Sequence, residues 1–135
     1  IKEKNKIRFF DDDDNNICCS DVDYRSKVVK TLTNNWLIAK NIVEENGGQF
    51  FAILQPSSYT GNNIFHKNYK NIRADCMKNI YNEICEIIRK ELGDKEWFLD
   101  LTYIFNQKGP YYFDAVHVNQ IANKMIAEEI DNFIK

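Results

Sequence analysis

The chain has 135 residues and a formal net charge of −2, from 18 Lys+Arg against 20 Asp+Glu. That is one domain's worth of polypeptide, inside the usual range of ~100–150 residues. So balanced a charge gives no electrostatic case for nucleic acid or for an anionic membrane surface. With 44% hydrophobic and 13% aromatic residues the chain can build a core and is not disordered by composition. No run of ~18 apolar residues occurs, so none is expected to span a bilayer.

The chain opens on Ile1-Lys2, without an initiator Met or a basic-then-apolar leader. It therefore reads as a piece processed or cut from something longer. Residues 1–19 read as irregular. Asp11 to Asp14 is an acidic run that reads as a solvated loop, with a hard-cation cluster as the minor alternative. Phe9 and Phe10 read as the end of a short strand.

Ser20 with Asp23 resembles a capping box, and a helix is predicted from about Asp21 to Asn46. Its apolar positions are Val22, Val28, Val29, Leu32, Trp36, Leu37, Ile42 and Val43, and Gly47-Gly48 stops it. The run Gln49 to Gln55, bounded by Gly and Pro, predicts a strand buried on both faces. A polar loop should follow from Pro56 to Asn68.

A second helix is predicted from about Tyr69 to Leu92, with Ile72, Cys76, Ile80, Ile84, Ile87 and Ile88 on its apolar face. Trp97 to Leu101 is a second buried strand, and Thr102 to Phe113 a loop. The last helix should run from Gln120 to Ile134, capped by Asn119 and burying Ile121, Met125, Ile126, Ile130 and Phe133. Helices alternating with buried strands predict an α/β fold with a parallel sheet. Two or three strands are few for that architecture, a second hint that earlier strands are missing.

None of the four cysteines forms a C-x-x-C pair, so no zinc site is expected. Cys76 and Cys85 read as small core residues, adjacent Cys18 and Cys19 are poorly placed to bond each other, and nothing forces an oxidising compartment.

The stretch that carries chemistry is Phe113-Asp114-Ala115-Val116-His117-Val118-Asn119. Loops beyond the carboxyl ends of strands are where α/β sheets bind ligands. Asp and His three apart on one turn can set the carboxylate against imidazole Nδ1–H. That contact fixes the tautomer and steadies the imidazolium formed when Nε2 takes a proton. This is the base half of a nucleophile–His–Asp triad. The bland reading of the same spacing is a capping Asp beside a solvent-facing His.

Trp97 to Ile130 resembles the C-terminal block of the SGNH/GDSL hydrolases. The resemblance is carried by a buried strand, a loop, Asp114-x-x-His117, a capped helix, and Ala122, Asn123 and Ala127 within it. Ala122 stands where Gly is more usual. Leu54-Gln55-Pro56 is similar to the end of a strand in a subset of these proteins. The resemblance implies a flavodoxin-like three-layer α/β/α fold with a parallel sheet, of which this chain is the C-terminal portion. It also implies serine esterase or O-acyl hydrolase or transferase chemistry, without cofactor or metal. By it His117 is the general base and Asp114 its orienting carboxylate.

The serine and the oxyanion-hole Gly and Asn of such enzymes lie in Gly-Asp-Ser and Gly-x-Asn-Asp blocks that this sequence lacks. Ser20 reads as a helix cap, and Ser57 and Ser58 as loop residues; neither position is assigned as nucleophile. His66 reads as a solvent-facing loop residue, with substrate contact or a His66–His117 metal pair as sharper alternatives. Tyr111 and Tyr112 read as covering aromatics or as a cleft wall. The implied partners are an ester or O-acylated carbohydrate and a missing N-terminal half, a second chain or another copy pairing on an open strand edge. The competing expectation is a noncatalytic α/β module that binds a ligand or a protein.

Overall fold

The computed structural model describes residues 22–61, 72–107 and 109–135. The readings of Phe9 and Phe10, of Asp11 to Asp14, of Cys18, Cys19 and Ser20, and of His66 lie outside them. In chain order the elements are α1 (Val22–Glu45), β1 (Ala52–Leu54), α2 (Ile72–Leu92), β2 (Phe98–Asp100) and α3 (Gln120–Ile134). This is a mixed α/β arrangement. Among the described residues β1 and β2 form a two-stranded parallel sheet, with Ala52 opposite Phe98, Ile53 opposite Leu99 and Leu54 opposite Asp100. Helix α2 makes the crossover that a parallel pair requires.

The two faces of β1 meet different helices, as the twofold alternation of a strand dictates. Ala52 packs with Val29 of α1 and with Ile88 and Leu92 of α2, and Phe98 joins the same cluster. Trp36 of α1 closes over Phe98 at 6.0 Å between ring centroids. On the opposite parity, Phe51 meets Phe133 of α3 edge-on at 5.5 Å. Ile53 shares a cavity wall with Ile126 and Ile130 of α3. Ile88 is fully buried, worth about 1.5–3 kcal/mol of hydrophobic stabilisation. An ion pair between Arg25 and Glu83, 2.8 Å apart, ties α1 to α2.

The element order matches the sequence expectation, with corrections in detail. Both strands are three residues long and only partly buried: Ala52 and Phe98 are buried, their neighbours half-buried. The inward face of α1 runs through Arg25, Val29, Leu32, Thr33 and Trp36, leaving Val28, Leu37 and Ile42 exposed. In α3 the buried residue is Ala122 and not Ile121, which is 67% exposed. The small side chain lets the first turn sit close to Phe105 and Tyr112, and Ile121, one residue away around the helix, is turned outward.

Gly47 ends α1 as expected, at φ +78, with Gly48 N–H donating to Val43 C=O. Cys85 is buried and free. Cys76 is disulfide-bonded rather than a plain core thiol. No helix among the described residues is long and apolar enough to cross a membrane.

Candidate functional site

The residues after each strand build the site. Beyond β1 the chain does not enter an open polar loop. Pro56, Ser57, Ser58 and Thr60 are buried, and Thr60 closes a turn by donating its N–H and Oγ1–H to Ser57 C=O. Gly61 follows at φ +67. That backbone conformation favours glycine, and a Cβ there would also displace the Asn106 side-chain oxygen and crowd Thr102 C=O at 3.3 Å. Ser58 N–H donates to Ala115 C=O at 2.9 Å, which fastens the segment 113–117 to the carboxyl end of β1.

At the end of β2, Asp100 accepts from Arg89 Nε at 2.6 Å and from the N–H and Oγ1–H of Thr102 at 2.9 and 2.7 Å. This network fixes the turn leading to Phe105. Phe105 stacks on Tyr111 at 4.9 Å and meets Tyr112 edge-on at 5.5 Å. Tyr112 is therefore a covering aromatic. Its burial pushes the phenol well above its ordinary value.

The segment 113–117 is a closed loop. Tyr112 and Val118 pair as an antiparallel bridge at its base, and Phe113 N–H donates to His117 C=O at 2.8 Å. Asn119 caps α3, accepting from Ala122 N–H at 3.0 Å, and its amide also donates to Pro110 C=O.

Inside this loop Asp114 uses both oxygens. Oδ1 accepts from the N–H groups of Val116 and His117 at 2.9 and 2.8 Å, which folds the turn. Oδ2 meets His117 Nδ1 at 2.6 Å. The carboxylate builds the turn and holds the ring in one step, which is why a separation of three residues works. Among the described residues the ring makes no other hydrogen bond. The pair is open to solvent, with side chains 75% and 55% exposed for His117 and Asp114.

The backbone N–H of His117, then that of Val116, then the imidazole lower the Asp114 carboxyl to about 2. Its folded value lies below the ~3.9 of an unfolded Asp. These contacts therefore favour the fold above about pH 4 and are lost as pH falls through about 2. An NMR titration of the Asp114 side-chain carbon is expected to show its midpoint near 2. A midpoint near 4 would show the turn unformed.

His117 opens onto a cavity of about 350 Å³. Gln55, Val116 and Asn123 stand with it on the exposed side, while Leu101 is buried and Ile53, Val118, Ile126 and Ile130 are half-buried. Asn123 belongs to the pattern noted above; Gln55 comes from the end of the Leu54-Gln55-Pro56 strand. The buried loop at 56–60 escapes sequence reading, because Ser and Thr in a polar stretch look like surface.

Ser57 and Ser58 do not join His117. The Ser57 hydroxyl accepts from Tyr59 N–H. Ser58 is 1% exposed, and among the described residues its hydroxyl has no hydrogen-bond partner. A buried unsatisfied hydroxyl costs stability. Ser58→Ala retains the backbone bond to Ala115 and is expected to raise stability by about 1 kcal/mol or less in urea unfolding. A lowered midpoint would show that a bound water satisfies the hydroxyl. No group of three or more metal-ligating side chains occurs among the described residues.

No protein-family model matches this chain, and neither a curated protein nor a solved structure matches it.

Proposed function

We propose that this chain is the C-terminal part of an SGNH-type serine esterase or O-acyl hydrolase or transferase, with His117 as general base and Asp114 as its orienting carboxylate. The observation that carries the reading is the 2.6 Å contact between Asp114 Oδ2 and His117 Nδ1 beside an open cavity. With Nδ1 facing the carboxylate, Nε2 is the nitrogen that takes the proton of an attacking alcohol. The flavodoxin-like three-layer architecture belongs to the same proposal. It is supported by the parallel βαβ unit, by α1 and α2 on one face of β1, and by α3 on the other.

The attacking serine and the oxyanion donors are to be supplied by polypeptide outside these residues. The 135-residue chain alone is then inactive, because the covalent step and the stabilisation of the oxyanion are both missing. The polypeptide that joins this segment to a Gly-Asp-Ser block should hydrolyse a short-chain nitrophenyl ester and be inactivated by a fluorophosphonate. Absence of both reactions overturns the proposal.

One observation favours a second reading, a noncatalytic ligand-binding module. Among the described residues no serine hydroxyl bonds to His117. In that case the reading frame would hold no nucleophile block, and the loop and cavity would serve binding alone.

A further inference from the structure

The cavity beside His117 changes character from its mouth to its interior. The polar lining residues, Gln55, Asn123 and His117, are all exposed and so mark the mouth. Further in, the walls are aliphatic: Ile53 from β1, Leu101 after β2, and Ile126 and Ile130 from α3. Among the described residues, no Lys, Arg, Asp or Glu lines the cavity. At about 350 Å³ the space lies at the small end of ligand sites, which run from ~300 to ~1,000 Å³.

A sugar needs polar partners on several sides, and among the described residues none stands in the interior. An alkyl chain needs only shape and dryness. We propose that this cavity binds an aliphatic acyl chain, with the ester group at the mouth beside His117 and the alcohol part, sugar or otherwise, outside. The placing of the ester rests on the esterase reading above; the alkyl binding does not.

The test uses the 135-residue chain, isotopically labelled, titrated by NMR with the methyl esters of acetic, butanoic, hexanoic and octanoic acids. Saturable shifts are expected at Ile53, Leu101, Ile126, Ile130 and His117. Affinity should rise about fourfold for each added methylene until the cavity is filled. Ile126→Phe, which fills the interior, should weaken methyl hexanoate binding at least tenfold. Because Ile126 also packs against the Phe105 cluster, Ile130→Phe provides a second obstruction at a position outside that cluster.

No saturable binding, an affinity independent of chain length, or undiminished binding in filled variants that keep the native spectrum would each overturn the assignment. The two proposals fail separately. Alkyl binding without ester hydrolysis in the longer polypeptide removes the esterase and leaves the pocket. Hydrolysis indifferent to acyl length, in an enzyme that His117→Ala inactivates, removes the pocket and leaves the esterase.

Discussion

His117→Ala is expected to lower kcat/KM for a short-chain ester by on the order of 10⁴-fold or more, in the polypeptide that joins this segment to its serine. A positioned general base alone contributes ~10²–10⁴-fold. Within a triad the members act as a unit, so losing the base also silences the nucleophile. The loss should fall on kcat, because His117 stands at the mouth of the cavity while its aliphatic walls come from Ile53, Leu101, Ile126 and Ile130. Stability should stay within ~0.5 kcal/mol of the parent, since the ring is 75% exposed and its hydrogen bond is to an exposed carboxylate. Steady-state kinetics with a denaturation control separates these outcomes. An enzyme indifferent to the change does not use this histidine.

Asp114→Asn should act through the ring rather than on the substrate. The amide oxygen can still accept from the N–H groups of Val116 and His117, so the turn survives. The amide nitrogen then faces Nδ1 where the carboxylate oxygen had been, and it can only donate. Nδ1 must accept, the proton moves to Nε2, and the lone pair that should take the serine proton is gone. A buried triad loses ~10⁴-fold in kcat from this exchange. Here the pair is open to water, which weakens the carboxylate's hold, so a loss of about 10²–10⁴-fold in kcat is expected with KM little changed. Asp114→Ala should lower stability further, because it also leaves two N–H groups of the turn without their acceptor. Equal stability in the two variants would show that Oδ1 does not hold the turn.

The elements were legible because their signals are local. Gly47-Gly48 ends α1, Asn119 caps α3, and the apolar runs 49–55 and 97–101 mark the strands. The Asp114-x-x-His117 turn was legible for the same reason, since the bonds from Asp114 to Val116 and His117 all lie within four residues. What escaped depends on partners distant in sequence. Ile121 fits the periodicity of α3 as well as Ala122 does, and only the approach of Phe105 and Tyr112 decides between them. Arg25 looks like surface until α2 brings Glu83 against it, and the buried Ser58 looks like loop until its N–H meets Ala115 of the 113–117 segment. The disulfide at Cys76 is a pairing that spacing alone does not reveal. The cavity draws its walls from both strand ends and α3, so no single stretch announces it.

The state of the His117 ring tests the central claim most directly. Long-range proton–nitrogen correlation spectra of the 135-residue chain, recorded where the imidazole is neutral, identify which nitrogen carries the proton. The account predicts the proton on Nδ1, against Asp114, with Nε2 bare, and the reverse in Asp114→Asn. A proton on Nε2 in the parent chain would contradict it, because that nitrogen could not then serve as a base.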